Sequence, residues 1–264
     1  MRTKYMKDVK RIVVKVGSSS LTNQNGLINI FQLESLVKQV AELHNKGYEI
    51  VLVSSGAIAA GMGKLNLTSR PTEMPLLQAT AAVGQVALIH MYQKFFSEYG
   101  ITVAQLLLTR DGLEDEKRLF HAKNASKSLI ENGVIQIVNE NDAVAVDEIA
   151  FGDNDTLSAM VAEIVEADLL ILLSDIDGLY TKNPMLNSDA EWIKEVDEIT
   201  DEIKALAGMS ATGLGTGGMI TKISAAQIAV SAGVHMIIAN SATPWILKRI
   251  TDGELVGTLF KRSE

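Results

Sequence analysis

The sequence predicts an α/β protein, with a central, mostly parallel sheet covered by helices on both faces in a three-layer αβα sandwich. Short, β-branched apolar runs recur along the whole chain. Segments of helical periodicity separate them, and strands alternating with helices indicate parallel pairing with helices on the sheet faces. No internal repeat, low-complexity tract or linker-like break interrupts the 264 residues, so one domain spanning 1–264 is expected.

Arg11 to Val16 reads as a strand running into a small-residue loop, Gly17-Ser18-Ser19-Ser20. Ile30, Leu33, Leu36, Val37, Val40 and Leu43 recur at helical spacing, and that helix stops at Lys46-Gly47. Ile50 to Val53 is a second strand; Ser54-Ser55-Gly56-Ala57 then leads into a helix of small residues. Pro71 and Pro75 bracket a loop, after which a mostly helical stretch runs to about Tyr99 with Gly84 inside it. Ile101 to Leu108 is a third strand, Thr109 to Lys117 a polar segment, and Arg118 to Glu131 a helix ending at Asn132-Gly133. A fourth strand ends at Val138. Asp168 to Leu173 is a buried-looking strand, followed by an irregular region to about Leu206. Met219 to Ala232 is helical, and Val234 to Ala239 and Leu255 to Phe260 are the last strands.

Composition narrows the function classes. The 47% hydrophobic and 21% charged fractions are those of an ordinary soluble globular protein. A net charge of −8 offers no general field for nucleic acid or anionic membrane, so neither is an expected partner. With no cysteine, disulfides and thiol chemistry are excluded, which fits the cytosol. The early apolar run Ile12-Val13-Val14 is cut by Lys15, leaving no signal-peptide core, and no uninterrupted apolar run approaches a membrane span. A cytoplasmic location is expected.

Val138 to Ala159 is the stretch richest in chemistry. An apolar strand breaks into Asn139-Glu140-Asn141-Asp142, and the stretch closes at Gly152-Asp153-Asn154-Asp155 before a helical pattern. Acids and amides at strand ends can grip an ammonium group, a hydroxyl or a metal, but repel phosphate unless a cation intervenes. A solvated loop with helix-capping acids has the same composition. Gly213-Leu214-Gly215-Thr216-Gly217-Gly218 matches G-x-G-x-x-G, yet small polar residues precede it where a strand is required, and Ala239 and Asn240 stand where the ribose-binding acid belongs. No Gly-Lys-Ser/Thr triplet exists, which excludes a P-loop. The longer run Gly215 to Lys222 is more informative: glycines admit close backbone approach, a helix N-terminus favours anions, and Lys222 falls on that helix's first turn. Lys15 interrupts an apolar strand near its end, where a buried ammonium is costly unless paired. The four histidines are scattered and suggest neither a metal cluster nor a triad.

Three strand ends with small residues, two lysines and an acidic loop suggest phosphoryl transfer without a P-loop. The motifs Val14-Lys15-Val16-Gly17-Ser18-Ser19, Val53-Ser54-Ser55-Gly56-Ala57-Ile58-Ala59-Ala60-Gly61, Asn139 to Asp142, Gly152 to Asp155, Leu173-Ser174-Asp175-Ile176-Asp177-Gly178-Leu179-Tyr180-Thr181 and Gly215 to Lys222 together resemble the amino acid kinase family. Their order is most similar to that of members acting on free L-glutamate, and the resemblance runs from about Arg11 to Phe260. Many of those members carry a C-terminal PUA domain; a chain ending at Glu264 is expected to be the form without it.

The resemblance implies transfer of the ATP γ-phosphoryl group to the γ-carboxylate of L-glutamate, as the first step of proline synthesis. It assigns Lys15, Lys222 and Asp155 to catalysis. Ser55, Asp142 and Asn154 would bind glutamate, the carboxylate of Asp142 suiting its ammonium. Lys15, Gly17, Ser174, Asp175, Thr216, Gly217, Gly218, Met219, Ile220, Thr221 and Lys222 would hold ATP, with Mg²⁺ carried mainly on its phosphates and Asp153 a candidate contact. Proline as feedback inhibitor and a homo-oligomer, dimer or tetramer, are further implications. The alternatives are a relative phosphorylating N-acetylglutamate, UMP or carbamate, or a non-catalytic nucleotide binder; retention of both lysines argues against the last.

Overall fold

The computed structural model describes residues 2–23, 25–144, 154–209 and 218–263. Its contacts group the chain into two compact units, Val16–Gly152 and Met1–Lys15 with Asp153–Glu264. Two elements open the chain, α1 (Thr3–Met6) and β1 (Arg11–Val16).

The Val16–Gly152 unit contains α2 (Ser18–Leu21), α3 (Ile30–Asn45), β2 (Glu49–Ser54), α4 (Ala57–Leu65), α5 (Met74–Ser97), β3 (Val103–Leu108), α6 (Arg110–Glu114), α7 (Glu116–Glu131) and β4 (Ile135–Glu140). Its strands run in the order β3-β4-β2 and pair in parallel, with Val53 opposite Val138 and Leu108 opposite Glu140. The carboxyl ends of β2, β3 and β4 therefore lie on one edge, where ligands of parallel sheets are held. Three local expectations change. Ser18–Leu21 is a helical turn rather than a loop, closed by Ser20 N–H donating to Gly17 O at 3.1 Å. Pro75 opens α5, since a first-turn proline gives up no helical hydrogen bond. The polar segment after β3 forms α6, whose N-cap Thr109 accepts from Gly112 N–H at 3.3 Å, and Asp115 in turn caps α7.

Helix α5 spans 24 residues and is long and apolar enough, by length and composition, to cross a membrane. One face of it is packed against the unit, with Tyr92 and Phe96 fully enclosed and Thr80 and Gln85 buried, while Leu76, Val83 and Val86 are exposed. It meets α4 backbone to backbone. A Cβ on Gly84 would stand 1.7 Å from Ala57 O, and one on Gly61 1.9 Å from Thr80 O.

The second unit adds α8 (Asn154–Ile164), β5 (Leu169–Ser174), β6 (Leu179–Tyr180), β7 (Trp192–Ile193), β8 (Glu195–Val196), α9 (Asp201–Met209), α10 (Met219–Ser231), β9 (His235–Asn240), α11 (Ile246–Thr251) and β10 (Thr258–Phe260). Strand order is β1-β5-β9-β10-β8; β5/β9 and β8/β10 are parallel and β9/β10 antiparallel. Asp168 joins β1 to β5 by accepting from Lys10 N–H and Arg11 N–H, both at 2.8 Å. The region expected to be irregular contains the antiparallel pair β6/β7 and the edge strand β8. The Arg2 guanidinium, fully buried, donates to Val256 O at 2.6 Å, Gly257 O at 2.8 Å and Lys194 O. All the pairings of β3-β4-β2 are parallel, and β5/β9 and β8/β10 add two more, which is the mostly parallel pattern of the α/β class.

The α4–α5 contact yields a paired expectation. Gly84→Ala should lower unfolding free energy by roughly 3 kcal/mol, because the methyl must push a backbone carbonyl aside. Gly63→Ala, with only Leu27 Cδ2 at 3.6 Å, should be neutral or stabilising. Urea unfolding of the two variants checks this; equal effects would dismiss the close approach.

Candidate active site

Lys15, Asp155 and Lys222 meet inside the second unit. Lys15 lies near the end of β1, Asp155 in the first turn of α8 and Lys222 in the first turn of α10, and they are 8%, 1% and 5% exposed. Lys15 Nζ is 2.5 Å from Asp155 Oδ1, and Lys222 Nζ is 3.1 Å from Asp155 Oδ2. Thr221 Oγ1 lies 2.8 Å from both Asp155 Oδ2 and Gly218 O; its single proton serves one acceptor at a time. A helix N-terminus favours the Asp155 carboxylate, and Ser158 Oγ donates to Asp155 O at 2.6 Å, fixing that first turn. Burial pushes the Asp155 carboxyl up, but the charges of Lys15 and Lys222, with hydrogen bonds from Lys15 and Thr221, outweigh it and hold it at about 2. One ionised carboxylate thus fixes two ammonium groups that desolvation would otherwise expel.

Asn154 is buried at the start of α8. At the carboxyl ends of β5 and β9, Ser174 Oγ donates to Asp175 Oδ1 at 3.0 Å, Ser241 N–H to Ser174 O at 2.8 Å, and Asn240 Nδ2 to Asp177 Oδ1 at 3.0 Å. Gly218 precedes α10, Met219 is buried and Ile220 is exposed. Asp153, Thr216 and Gly217 lie outside the described residues.

The other candidates belong to the Val16–Gly152 unit. Gly17 is the extended N-cap of α2. Ser55 N–H donates to Val16 O at 3.2 Å, and Gly56 turns the chain into α4 with φ +101°, the left-handed region glycine favours. Ser54 Oγ and Tyr92 Oη share a buried hydrogen bond of 2.7 Å, which ties the end of β2 to α5. Asp142 follows β4; burial pushes its carboxyl up to about 6, against the pull of the Arg70 charge. Asn139 Nδ2 donates to Gln85 Oε1 at 2.8 Å. Asp142, Glu140 and Gln85 line a cavity of about 280 Å³. Tyr92, Arg70 and Gln85 carry no motif signal: each stands in an ordinary helix or loop, and its role comes from a tertiary partner.

Residues 10–240 match the model of the amino acid kinase family. The chain belongs to the amino acid kinase family. It is 56% identical to the glutamate 5-kinase of Clostridium tetani, over 98% of this chain and 97% of that protein. It is 57% identical to the glutamate 5-kinase of Carboxydothermus hydrogenoformans over 97% of this chain but 68% of that protein, which is longer. Among solved structures, the carbamate kinase of Giardia lamblia bound to AMP-PNP superposes with TM-score 0.67 at 18% identity, covering 97% of this chain and 99% of that one. The UMP kinase of Ureaplasma parvum does so with TM-score 0.64 at 14% identity, covering 96% and 99%. These last two show a shared fold.

The aspartate–lysine cluster sets an expectation for stability. Asp155→Asn should cost about 3 kcal/mol at pH 7, because it leaves two buried ammonium groups without their counter-charge. For a carboxyl with a depressed folded value, the contribution is present above the ordinary 3.8 and lost as pH falls toward about 2. The gap between parent and variant in urea unfolding should therefore close over that window; a gap unchanged down to pH 2 would refute the assignment.

Proposed function

We propose that this protein transfers the γ-phosphoryl group of ATP to the γ-carboxylate of L-glutamate, forming L-glutamyl 5-phosphate and ADP, the first step of proline biosynthesis. The observation that carries this reading is the buried Lys15–Asp155–Lys222 cluster in a chain 56% identical, over nearly its whole length, to a glutamate 5-kinase. A γ-carboxylate oxygen attacks the γ-phosphorus as the bond to the ADP oxygen breaks, and a carboxylate needs no general base. What the protein supplies is position and compensation for the charge of two anions.

Lys15 and Lys222 neutralise the transferring group, and Asp155 holds both in place. Ser174, Asp175, Gly17 and the run Thr216 to Lys222 bind ATP; Ser55, Asp142 and Asn154 bind glutamate. Mg²⁺ would be held on the nucleotide phosphates, where it would neutralise charge. It binds through phosphates and one or two carboxylates rather than a protein cage. Among the described residues no group of three acids or histidines is gathered for a metal, so Asp153 is the protein ligand this reading offers. Proline as an inhibitor at or near the glutamate site and a cytosolic location belong to the same proposal. So does a homo-oligomer, for which exposed Leu76, Val83 and Val86 on α5 offer apolar surface. UMP, carbamate and N-acetylglutamate as acceptors are not favoured: the UMP and carbamate kinases share only the fold, and an acetylated amine has no charge for Asp142 to meet.

Hydroxylamine traps an acyl phosphate as a hydroxamate, so ATP, Mg²⁺ and L-glutamate should give colour while N-acetylglutamate gives none. In the same assay Lys222→Ala should fold and lose on the order of 10²–10³ in kcat. Activity within about tenfold of the parent would remove Lys222 from the chemistry.

Asp142 grips ammonium only when ionised, so kcat/KM for glutamate should fall as pH drops through about 6. Ligand-free stability runs the other way: a raised folded value makes ionisation costlier in the folded state, so stability declines as pH rises from 3.8 through about 6. Asp142→Asn should raise the glutamate KM roughly 10- to 100-fold, leave the ATP KM nearly unchanged and abolish that pH limb. Equal effects on both substrates would sink the ammonium role.

A further inference from the structure

The cavity of the Val16–Gly152 unit contains a polar group that the proposed reaction has not used. Gln85, on α5, is 8% exposed and lines the cavity. Its Oε1 accepts from Asn139 Nδ2, which fixes the orientation of the amide. Its Nε2 is buried and has no hydrogen-bond partner among the described residues. A buried amide donor without an acceptor is unfavourable, and natural structures rarely keep one except where a ligand or water completes it.

The rest of the lining defines what could complete it. Glu140 and Asp142 repel a bare anion, whereas the amide donor calls for an acceptor oxygen. A ligand carrying an ammonium group beside a carboxylate answers both. Ala82, Val86 and Leu107 add an apolar wall suited to methylene groups. At about 280 Å³ the space lies just below the range of about 300–1,000 Å³ for small-molecule sites and suits an amino acid rather than a nucleotide.

We propose that Gln85 is a specificity residue for the amino acid acceptor, its Nε2 donating to the non-reacting α-carboxylate while Asp142 receives the ammonium. The inference rests on the glutamate-phosphorylating reading and assigns within it a contact to the part of the substrate that does not react. Asn139 is the positioning residue: it holds the Gln85 oxygen and so turns the amide nitrogen toward the cavity.

Steady-state kinetics of the full chain with Gln85→Glu and Gln85→Leu test it. Gln85→Glu keeps an oxygen to accept from Asn139 but puts a carboxylate where the donor was, separating anchoring from recognition. Its KM for L-glutamate should rise roughly 10- to 100-fold with the ATP KM within about twofold. 4-Aminobutyrate, which has the ammonium and reacting carboxylate but no α-carboxylate, should compete with glutamate equally well in parent and variant. Gln85→Leu should show the same split. A glutamate KM within about twofold of the parent in both variants, or equal rises for glutamate and ATP, overturns the proposal. Should neither variant fold, calorimetric titration of the parent decides: 4-aminobutyrate binding as tightly as L-glutamate overturns it, and binding at least about tenfold weaker supports it. A parent that forms no hydroxamate from glutamate is a failure of the underlying activity; an active parent with unaffected variants is a failure of this inference alone.

Discussion

The carboxylate of Asp155 is the constraint on which the burial of Lys15 and Lys222 depends. Lys15 and Lys222 are more than two hundred residues apart in sequence, and both are almost wholly buried. Either ammonium alone would be costly in that setting. Asp155, at 2.5 and 3.1 Å, makes their burial tolerable and thereby fixes β1, α8 and α10 with respect to one another. Buried ion clusters are weak stabilisers compared with apolar packing of the same volume. In the proposed reaction such a cluster, at the ends of three core elements, serves by presenting two fixed cations to an incoming anion.

In the Val16–Gly152 unit the comparable organising element is α5. Its glycine at position 84 lets the helix lie against the backbone of α4 at Ala57, directly after the Ser54-Ser55-Gly56 turn. From the same helix Tyr92 bonds Ser54 at the end of β2, and Gln85 bonds Asn139 near the end of β4. Both strand ends that carry proposed acceptor-binding residues are thus tied by buried polar bonds to one helix, which is held close by a residue without a side chain. Such bonds are worth more for geometry than for net stability, since each replaces bonds to water. They make the positions of Ser55 and Asp142 depend on the packing of α5.

Much of the fold was legible because strand and helix periodicities are local. Arg11–Val16 and the helix from Ile30 follow from apolar spacing alone. The departures are also local in cause but need more than apolar spacing: Pro75 stands in the first turn of a helix, where its missing N–H costs no helical hydrogen bond, and β6, β7 and β8 are two-residue strands too short for any alternation to show. Among site residues, Lys15 stood out as a charge in an apolar strand and Asp155 as an acid ahead of a helix; the resemblance implied a shared catalytic role, but their mutual contact was legible only in the fold. Gln85 and Tyr92 were silent for a physical reason. A polar residue within a helix looks the same whether it faces water or a buried partner, and only the tertiary partner, Asn139 or Ser54, distinguishes the two.

The net charge of −8 bears on how such a protein handles two anionic substrates. A diffuse basic surface would attract ATP and glutamate, but it would also attract every other phosphate and polyanion. Here cationic charge is held instead on buried Lys15 and Lys222, where low polarizability strengthens each interaction and solvent screening is small. Asp142 works by the converse logic. It repels phosphate in the proposed reaction and admits an amino acid only with its ammonium free, and burial that raises its carboxyl to about 6 still leaves it ionised at neutral pH. In the proposed reaction, rejection of an acylated amine follows from the cost of leaving that buried carboxylate unpaired, a larger penalty than any missing apolar contact would impose.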